Sequence, residues 1–185
     1  MGKIKLQPGI VTYPMPVSLV GAKVKGVDNF IAIAWLSMVG FAPPRLAVTL
    51  NKCHYTNQGI KDNGVFSVNF PSVEHMQAVD YCGLVSGAKT DKSKVFKVFY
   101  GQSEAAPMVA DFKLNVECKL AELVDNGQHE TFIGDIVGLY AEESALTEGK
   151  IDLQKLAPLL LGQGNTTYYS LGEKIGQAWS IGKTK

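Results

Sequence analysis

The tripeptide Asp125-Asn126-Gly127 restricts the fold of this chain more than any other feature. An Asn-Gly pair favours the tight turn of a β-hairpin, because both residues adopt positive φ at low cost. The segments on its two sides, Phe112–Val124 and Glu130–Tyr140, look like two long strands. The pattern therefore predicts one long antiparallel hairpin.

Five shorter apolar or alternating segments also predict strands. They are Val17–Val24, Asn29–Met38, Leu46–Leu50, Val65–Phe70 and Thr166–Leu171. Pro43-Pro44 follows the second segment and is expected to end it, because proline lacks the N–H that a sheet needs.

Helices are expected to be few and short. Thr56 is predicted to cap a helix that stops at Gly64, and Ser72 a helix that runs to about Leu84. A third helix is expected over Asp152–Leu161, with Pro158 disturbing its end, and Ser86–Lys94 is expected to be a loop. Many strands, 19 glycines and 8 prolines favour a closed or half-closed antiparallel barrel over βαβ units.

The composition describes a protein with a core and almost no net charge. Of its 185 residues 46% are hydrophobic, and 18 Lys and Arg residues nearly balance 17 Asp and Glu residues. Dedicated nucleic-acid binders carry a large basic excess, so the balance argues against nucleic acid as a partner. The longest apolar stretch starts near Phe30, and Pro43-Pro44 and Arg45 interrupt it too early for a membrane span.

The N-terminal residues and the cysteines indicate the compartment. The sequence MGKIKLQPGI lacks the apolar core and the cleavage site of a secretory signal peptide. Cys53, Cys82 and Cys118 are odd in number and widely spaced, which predicts reduced thiols rather than disulfides or a zinc site. We expect one domain over residues 1–185, located in the cytoplasm.

The signatures of several enzyme classes are missing. The chain has no GxGxxG, no Walker A loop and no GxSxG. Ser86-Gly87-Ala88-Lys89 fits the SxxK pattern of acylating serines, but the SDN and KTG partners are missing. His54, His75 and His129 lie far apart with no carboxylate at ligand spacing, so no metal site is expected.

Polar and cationic residues near strand ends suit an anionic, aromatic cofactor. Thr49, Asn51 and Lys52 stand at a predicted strand end, and Thr56 begins the next helix. Hydroxyl groups, an ammonium group and helix N–H groups together form a cradle for phosphate. The loop Ser86–Lys94 adds small residues and three lysines.

Trp35 and Ser37 place a large aromatic ring and a hydroxyl group in one apolar segment. Each of these candidates also has a purely structural interpretation: Trp35 as a core residue, Thr56 as a helix cap and the loop lysines as solvated charges. The residues taken singly leave both interpretations open.

Several short motifs follow one another along the chain in a characteristic order. They are Asn29; Trp35 and Ser37; Pro43-Pro44; Thr49 to Lys52 with Thr56; Phe66-x-Val68-Asn69; Ser86-Gly87 with Asp91-Lys92; His129 with Gly134-Asp135-Ile136-Val137; and Tyr168-Tyr169-x-Leu171-Gly172. Together they resemble the flavin reductase-like domain family, and within it the flavoredoxin branch, over about positions 10 to 182.

The resemblance implies a mainly β fold: a split antiparallel β-barrel of Greek-key type with short peripheral helices. It also implies a homodimer that holds FMN near the subunit interface. The residues expected to bind FMN are Trp35, Leu36, Ser37 and Met38 at the ring, Thr49, Asn51, Lys52 and Thr56 at the ribityl chain and phosphate, and Ser86, Gly87 and Lys92, which close the site.

The resemblance leaves the role of His129 and the reaction open. His129 either lies near the flavin and steers nicotinamide or a proton, or is a polar residue at a strand end. The chain is either a reductase that takes a hydride from NAD(P)H, or an FMN electron carrier that a redox protein reduces. A third hypothesis is a barrel without a cofactor.

Overall fold

A computed structural model describes residues 2–183, and most of their regular structure is β-sheet. The strands are β1 (Pro14–Pro16), β2 (Ser18–Val24), β3 (Val27–Ile33), β4 (Leu36–Phe41), β5 (Pro44–Asn51), β6 (Val65–Phe70), β7 (Val98–Phe99), β8 (Met108–Val109), β9 (Leu114–Asn126), β10 (His129–Ala141), β11 (Leu146–Thr147), β12 (Lys150–Ile151), β13 (Leu160–Gly162) and β14 (Thr167–Tyr169). The α-helices are α1 (Thr56–Asn63), α2 (Met76–Leu84) and α3 (Leu153–Leu156), and short 3₁₀ turns cover Val73–His75, Glu143–Ala145, Gln163–Asn165 and Ile181–Lys183.

The main sheet has seven antiparallel strands in the order β3-β2-β6-β9-β10-β5-β4. Strands β3 and β4 are consecutive in the chain, yet they occupy opposite edges of the sheet. The chain therefore crosses from one edge to the other between Ile33 and Leu36, which brings the edges together as a split barrel. The predicted mainly β split barrel with short peripheral helices is confirmed.

The long hairpin forms where the sequence predicts it. Strands β9 and β10 pair from His129 opposite Asn126 to Ala141 opposite Leu114, with two register shifts. Gly127 in the turn has a φ of 75°, a conformation that glycine adopts without steric cost. Two-residue side-chain alternation puts Phe132 in the barrel core, where it is fully buried.

Two clusters of buried side chains fill the interior. The first lies inside the barrel and includes Val20, Phe66 and Phe132. The second lies between the barrel and α2 and includes Phe30 and Phe112. Helix α2 contributes its buried residues to the second cluster, so the helix and the segment after it are fixed against the open side of the barrel.

The predicted strand Asn29–Met38 is wrong as a single strand. The backbone breaks at Ala34 and Trp35, where the N–H of Leu36 donates to the carbonyl of Ala34 over 3.2 Å. The carbonyl of Trp35 accepts from the N–H of Thr49 on β5 over 2.9 Å. The apolar pattern runs through the break because residues on both of its sides pack against the core.

The predicted helix Asp152–Leu161 is also wrong beyond its first turn. Asp152 caps α3 by accepting hydrogen bonds from the N–H groups of Gln154 and Lys155, but the helix ends at Leu156. Ala157 has a φ of 48°, and Pro158 has no N–H to continue the helix. The chain then enters strand β13, which pairs with β1.

Two predicted helix caps differ from the observed ones. Tyr55 occupies the N-cap position of α1 without a side-chain hydrogen bond, and Thr56 is the first helical residue. The hydroxyl group of Ser72 donates to Glu74 over 2.7 Å and also bonds to the ring of His75, so it does not cap the backbone. Both helices form without the predicted caps because packing on the barrel holds them.

Within residues 2–183, none of the helices has the length and the apolar character needed to cross a membrane.

Candidate functional site

The break at Trp35 opens a cleft at the edge of the barrel, which we call the ring cleft. It has a volume of about 280 Å³, and four aromatic side chains line it: Trp35, His54, His129 and Tyr168. The ring centroids of Trp35 and His129 are 5.0 Å apart. The remaining wall is apolar at Val17, Ile33 and Leu161 and polar at Thr49, Asn51 and Gln163.

Hydrogen bonds from distant parts of the chain fix the rings. The indole Nε1 of Trp35 donates a hydrogen bond to the side chain of Gln163, which follows β13. The hydroxyl group of Tyr168 donates to Asp80 of α2 over 2.7 Å. Burial and this bond raise the pKa of Tyr168 to about 12, so the ring cleft contains a neutral phenol at physiological pH.

A second cavity, the loop cleft, has a volume of about 170 Å³ between the turn before α1 and the segment after α2. Thr56, Ser86 and Gly87 are among the residues that line it. The hydroxyl group of Thr56 accepts a hydrogen bond of 2.7 Å from the buried amide of Asn29. That of Ser86 accepts from the N–H of Ala88 over 3.3 Å. Each hydroxyl still has its own proton to donate to a ligand.

His54 and Gly83 line both cavities, so the ring cleft and the loop cleft share a wall. A third cavity, the side cleft, lies beyond Trp35 and shares Ala34, Trp35 and Thr49 with the ring cleft. Together the three cavities form a groove with aromatic rings near its centre and hydroxyl groups at one end.

A buried ammonium group and the N-terminus of helix α1 border the loop cleft. Lys92 lies there with only 2% of its surface exposed, and its ammonium group donates to the carbonyls of Phe30 and Cys82 over 2.9 and 2.7 Å. Burial lowers the pKa of Lys92. Helix α1 points its N-terminus, which has no side-chain cap, toward the same turn. Burial lowers the pKa of His54, and the neighbouring Lys92 and His129 lower it further.

Glu130 stabilises the start of α1 through hydrogen bonds. Its carboxylate accepts from the amide of Asn57 over 2.9 Å and from the ammonium group of Lys61 over 2.5 Å. Burial acts to raise the pKa of Glu130, but these two hydrogen bonds and the charges of Lys61 and Lys52 lower it below its ordinary value. The amide of Asn57 also donates to the carbonyl of Asn51 over 3.1 Å, which ties the turn to β5.

Ten of the twelve predicted site residues line the groove. Trp35, Thr49, Asn51 and His129 line the ring cleft, Leu36 and Ser37 the side cleft, and Thr56, Ser86, Gly87 and Lys92 the loop cleft. Met38 and Lys52 line none of the three cavities, and Met38 is 56% exposed. Lys52 instead holds both carboxylate oxygens of Asp125 at 2.6 Å.

These positions do not establish what the residues bind, so their roles toward a cofactor stay predictions. Lys92 has two carbonyl partners already, and a direct contact with a ligand would compete with them. Lys52 would have to leave Asp125 to reach the groove.

Sequence reasoning missed His54, Gly83, Gln163 and Tyr168 as groove residues. Gly83 and Gln163 belong to no chemical motif, and only the fold brings them to the groove. A signal for His54 was present, since it lies between Asn51 and Thr56, but its distance from the other histidines pointed away from a metal site. Within residues 2–183 no group of three or more His, Cys, Asp or Glu side chains is arranged to hold a metal ion.

A split β-barrel with a ring-lined groove at its open edge has the shape to receive a flat aromatic ligand. The chain belongs to the family described as flavin reductase like domain, which it matches over residues 10–170. The flavoredoxin of Methanosarcina acetivorans has a crystal structure that is 46% identical, with a TM-score of 0.97, covering 100% of this chain and 99% of that one.

Two further relatives have descriptive names. The flavoredoxin of Desulfovibrio vulgaris (Miyazaki F) is 32% identical with a TM-score of 0.91, covering 98% of this chain and 100% of that one. The FMN reductase (NADH) RutF of Agrobacterium fabrum is 29% identical over 116 residues, which cover 62% of this chain and 64% of that protein.

Proposed function

We propose that this chain binds FMN in the joined ring and loop clefts and transfers electrons in the manner of a flavoredoxin. The observation that carries the proposal is the groove itself. A cavity lined by aromatic rings and apolar side chains meets, through the wall formed by His54 and Gly83, a cavity with hydroxyl groups and positive charge. FMN has the same two parts, a flat aromatic ring and a phosphate dianion.

The residues of the groove fit this cofactor. The indole of Trp35 and the phenol of Tyr168 suit the ring, and the hydroxyl groups of Thr56 and Ser86 suit the phosphate. Gly87 allows a close approach, because an ideal Cβ at this position would overlap the side chain of Asn29. Backbone in this loop can therefore come near a ligand without a side chain in between.

In this proposal bound FMN supplies the redox chemistry by accepting a hydride or electrons at its ring. The protein orients the ring through Trp35, Leu36 and Ser37 and holds the ribityl chain and phosphate through Thr49, Asn51 and Thr56. The neutral hydroxyl group of Tyr168 and the imidazoles of His54 and His129 are the ionisable groups of the ring cleft that could hold or move a proton near the ring.

The immediate electron donor separates two versions of the function. In the reductase version NAD(P)H reduces the protein directly, and in the carrier version a redox protein does. The relative named FMN reductase (NADH) favours the first version, and the two flavoredoxins leave both open.

The decisive experiment follows the visible absorbance of the purified, flavin-loaded protein under anaerobic conditions. Mixing with NADH or NADPH should bleach the flavin within seconds in the reductase version and leave it oxidised in the carrier version. His129→Gln should slow bleaching if His129 steers nicotinamide, without lowering the FMN content. A preparation that stays colourless after incubation with FMN would contradict both versions and favour a barrel without a cofactor.

We also propose that the chain forms a homodimer and works in the cytoplasm. Three large apolar side chains are almost fully exposed: Phe41 at 97%, Ile175 at 95% and Trp179 at 91%. A second copy that covers them would remove this surface from water. The three cysteines are free thiols, as is usual in a reducing compartment.

Light scattering at micromolar concentration tests the dimer and should give twice the 20.0 kDa chain mass. Trp179→Ser should shift the mass toward one chain, whereas Ile4→Ser, a change at an apolar residue that is 83% exposed and lines none of the three clefts, serves as the matched control. A flavin-loaded protein with the mass of one chain would contradict the dimer.

A further inference from the structure

Hydrogen bonds fix the backbone of His54, whereas its side chain has no hydrogen-bond partner among the described residues. Its N–H donates to the carbonyl of Asn51 over 3.0 Å, and its carbonyl accepts from the N–H of Asn57 over 3.2 Å. The imidazole lines both the ring cleft and the loop cleft, and no residue of the described part of the chain bonds to it. A half-buried imidazole held in this way has its two nitrogens available to a ligand.

The charges around His54 come from two other parts of the fold. Lys92 lies beneath the loop cleft, and His129 lies on β10 across the ring cleft. Both are positive when protonated, and with burial they lower the pKa of His54. Tyr55 and Cys53 line the loop cleft beside it, and no carboxylate is among the described residues that line either cavity. His54 is therefore neutral at pH 7 before a ligand binds.

A phosphate dianion in the loop cleft would reverse this balance. It places two negative charges beside an imidazole that otherwise faces only cations, and an opposite charge within about 4–6 Å favours the protonated form. The hydroxyl groups of Thr56 and Ser86 and the N-terminus of α1 mark this end of the groove as the phosphate end.

We propose that His54 takes up one proton from solvent when FMN binds and that the imidazolium then pairs with the phosphate. The inference rests on the proposed FMN site and adds a residue and a proton to it. Affinity for FMN should rise as the pH falls, by up to tenfold per pH unit in the window where only the bound form is protonated. Riboflavin has no phosphate, so its binding should take up no proton at His54.

Calorimetric titration measures the proton directly. The full chain, freed of bound flavin, is titrated with FMN at pH 7.5 in two buffers of different ionisation enthalpy, and the difference in heat gives the protons taken up. The second pKa of a phosphate monoester is about 6, so the phosphate of free FMN is almost entirely a dianion at pH 7.5. We expect uptake of a measurable fraction of a proton, up to one per FMN, and none with riboflavin.

Three variants assign the proton. His54→Gln should abolish the uptake and weaken FMN about tenfold to hundredfold at pH 6.5, the loss expected for one charge-assisted hydrogen bond. His54→Lys carries a constant charge, so it should keep FMN affinity and lose its pH dependence. His75→Gln is the matched control, because His75 bonds to Ser72 and packs on Phe112, away from the groove.

The outcomes separate this inference from the function on which it rests. If FMN produces no heat and no change in flavin fluorescence, the proposed FMN site is wrong. FMN binding without proton uptake, or with the same uptake in His54→Gln, overturns the role of His54 and leaves the FMN site standing. Loss of the uptake in His129→Gln but not in His54→Gln assigns the proton to His129 and also overturns the inference.

Discussion

Gly87 offers a sharp test of how the loop after α2 is packed against the barrel. An ideal Cβ on this residue would overlap the amide oxygen of Asn29 and lie 2.8 Å from its Cγ and 3.2 Å from the ring of Tyr55. Asn29 is only 4% exposed, and its amide donates the 2.7 Å hydrogen bond to Thr56. In Gly87→Ala the amide of Asn29 therefore has to move, and its bond to Thr56 breaks.

The expected loss of stability has two parts. Forcing an extra methyl group into a packed site costs about 1–3 kcal/mol. Leaving a buried amide and a buried hydroxyl without their bond costs about 1–3 kcal/mol more. We expect Gly87→Ala to lower the free energy of unfolding by roughly 2–6 kcal/mol, which lowers Tm by roughly 4–24 °C for a chain of this size. FMN affinity should fall as well, because Gly87, Asn29 and Thr56 all line the loop cleft.

Urea unfolding of the flavin-free protein measures the loss, and two further variants check its cause. Gly83→Ala is the control: its Cβ would meet only Ala32, at 3.5 Å, and alanine within a helix stabilises by about 0.5–1 kcal/mol. In an Asn29→Ala background the clash is gone, so Gly87→Ala should cost much less there. Additive losses in the double variant, or a Gly87→Ala protein as stable as the native one, would refute the reasoning.

Three other changes probe the site and its support. Trp35→Phe should remove most of the quenching of tryptophan fluorescence by FMN. Trp179→Phe should leave the quenching unchanged, because Trp179 is 91% exposed and lines no part of the groove. Equal effects of the two changes would place the flavin elsewhere. Glu130→Gln should destabilise the fold by about 2 kcal/mol at pH 7. Because the pKa of Glu130 is lowered in the folded protein, its carboxylate contributes stability above the ordinary pKa of 4.5, and this contribution is lost as the pH falls through the lower pKa of the folded state. The difference in stability between Glu130→Gln and the native protein should therefore disappear in acid. A difference that stays constant with pH in urea unfolding would contradict this. Lys52→Ala should weaken the affinity for FMN by less than about tenfold, because the carboxylate of Asp125 already holds the ammonium group of Lys52. A titration in which the affinity for FMN falls more than that for riboflavin would show that Lys52 does reach the phosphate.

Local sequence patterns were enough to predict most of the strands and the long hairpin, and the order of the groove motifs is visible in the sequence itself. The turn at Gly127 and the alternation that buries Phe132 depend on neighbouring residues, so they can be read from the sequence alone. The order and spacing of the motifs were enough to indicate the family, which the match over residues 10–170 confirms.

Only the tertiary structure decided which of the candidates meet and what each one contacts. The bond from Trp35 to Gln163 joins residues 128 positions apart, and that from Asn29 to Thr56 joins residues 27 positions apart. The sequence shows Lys52 and Lys92 as equivalent cations, but folding pairs one with Asp125 at the surface and buries the other between two carbonyls. His54 lies between the candidates Asn51 and Thr56 in the sequence, but only the fold makes it part of the wall between two cavities, because long-range packing of β5, β10 and the segment after α2 brings those cavities together.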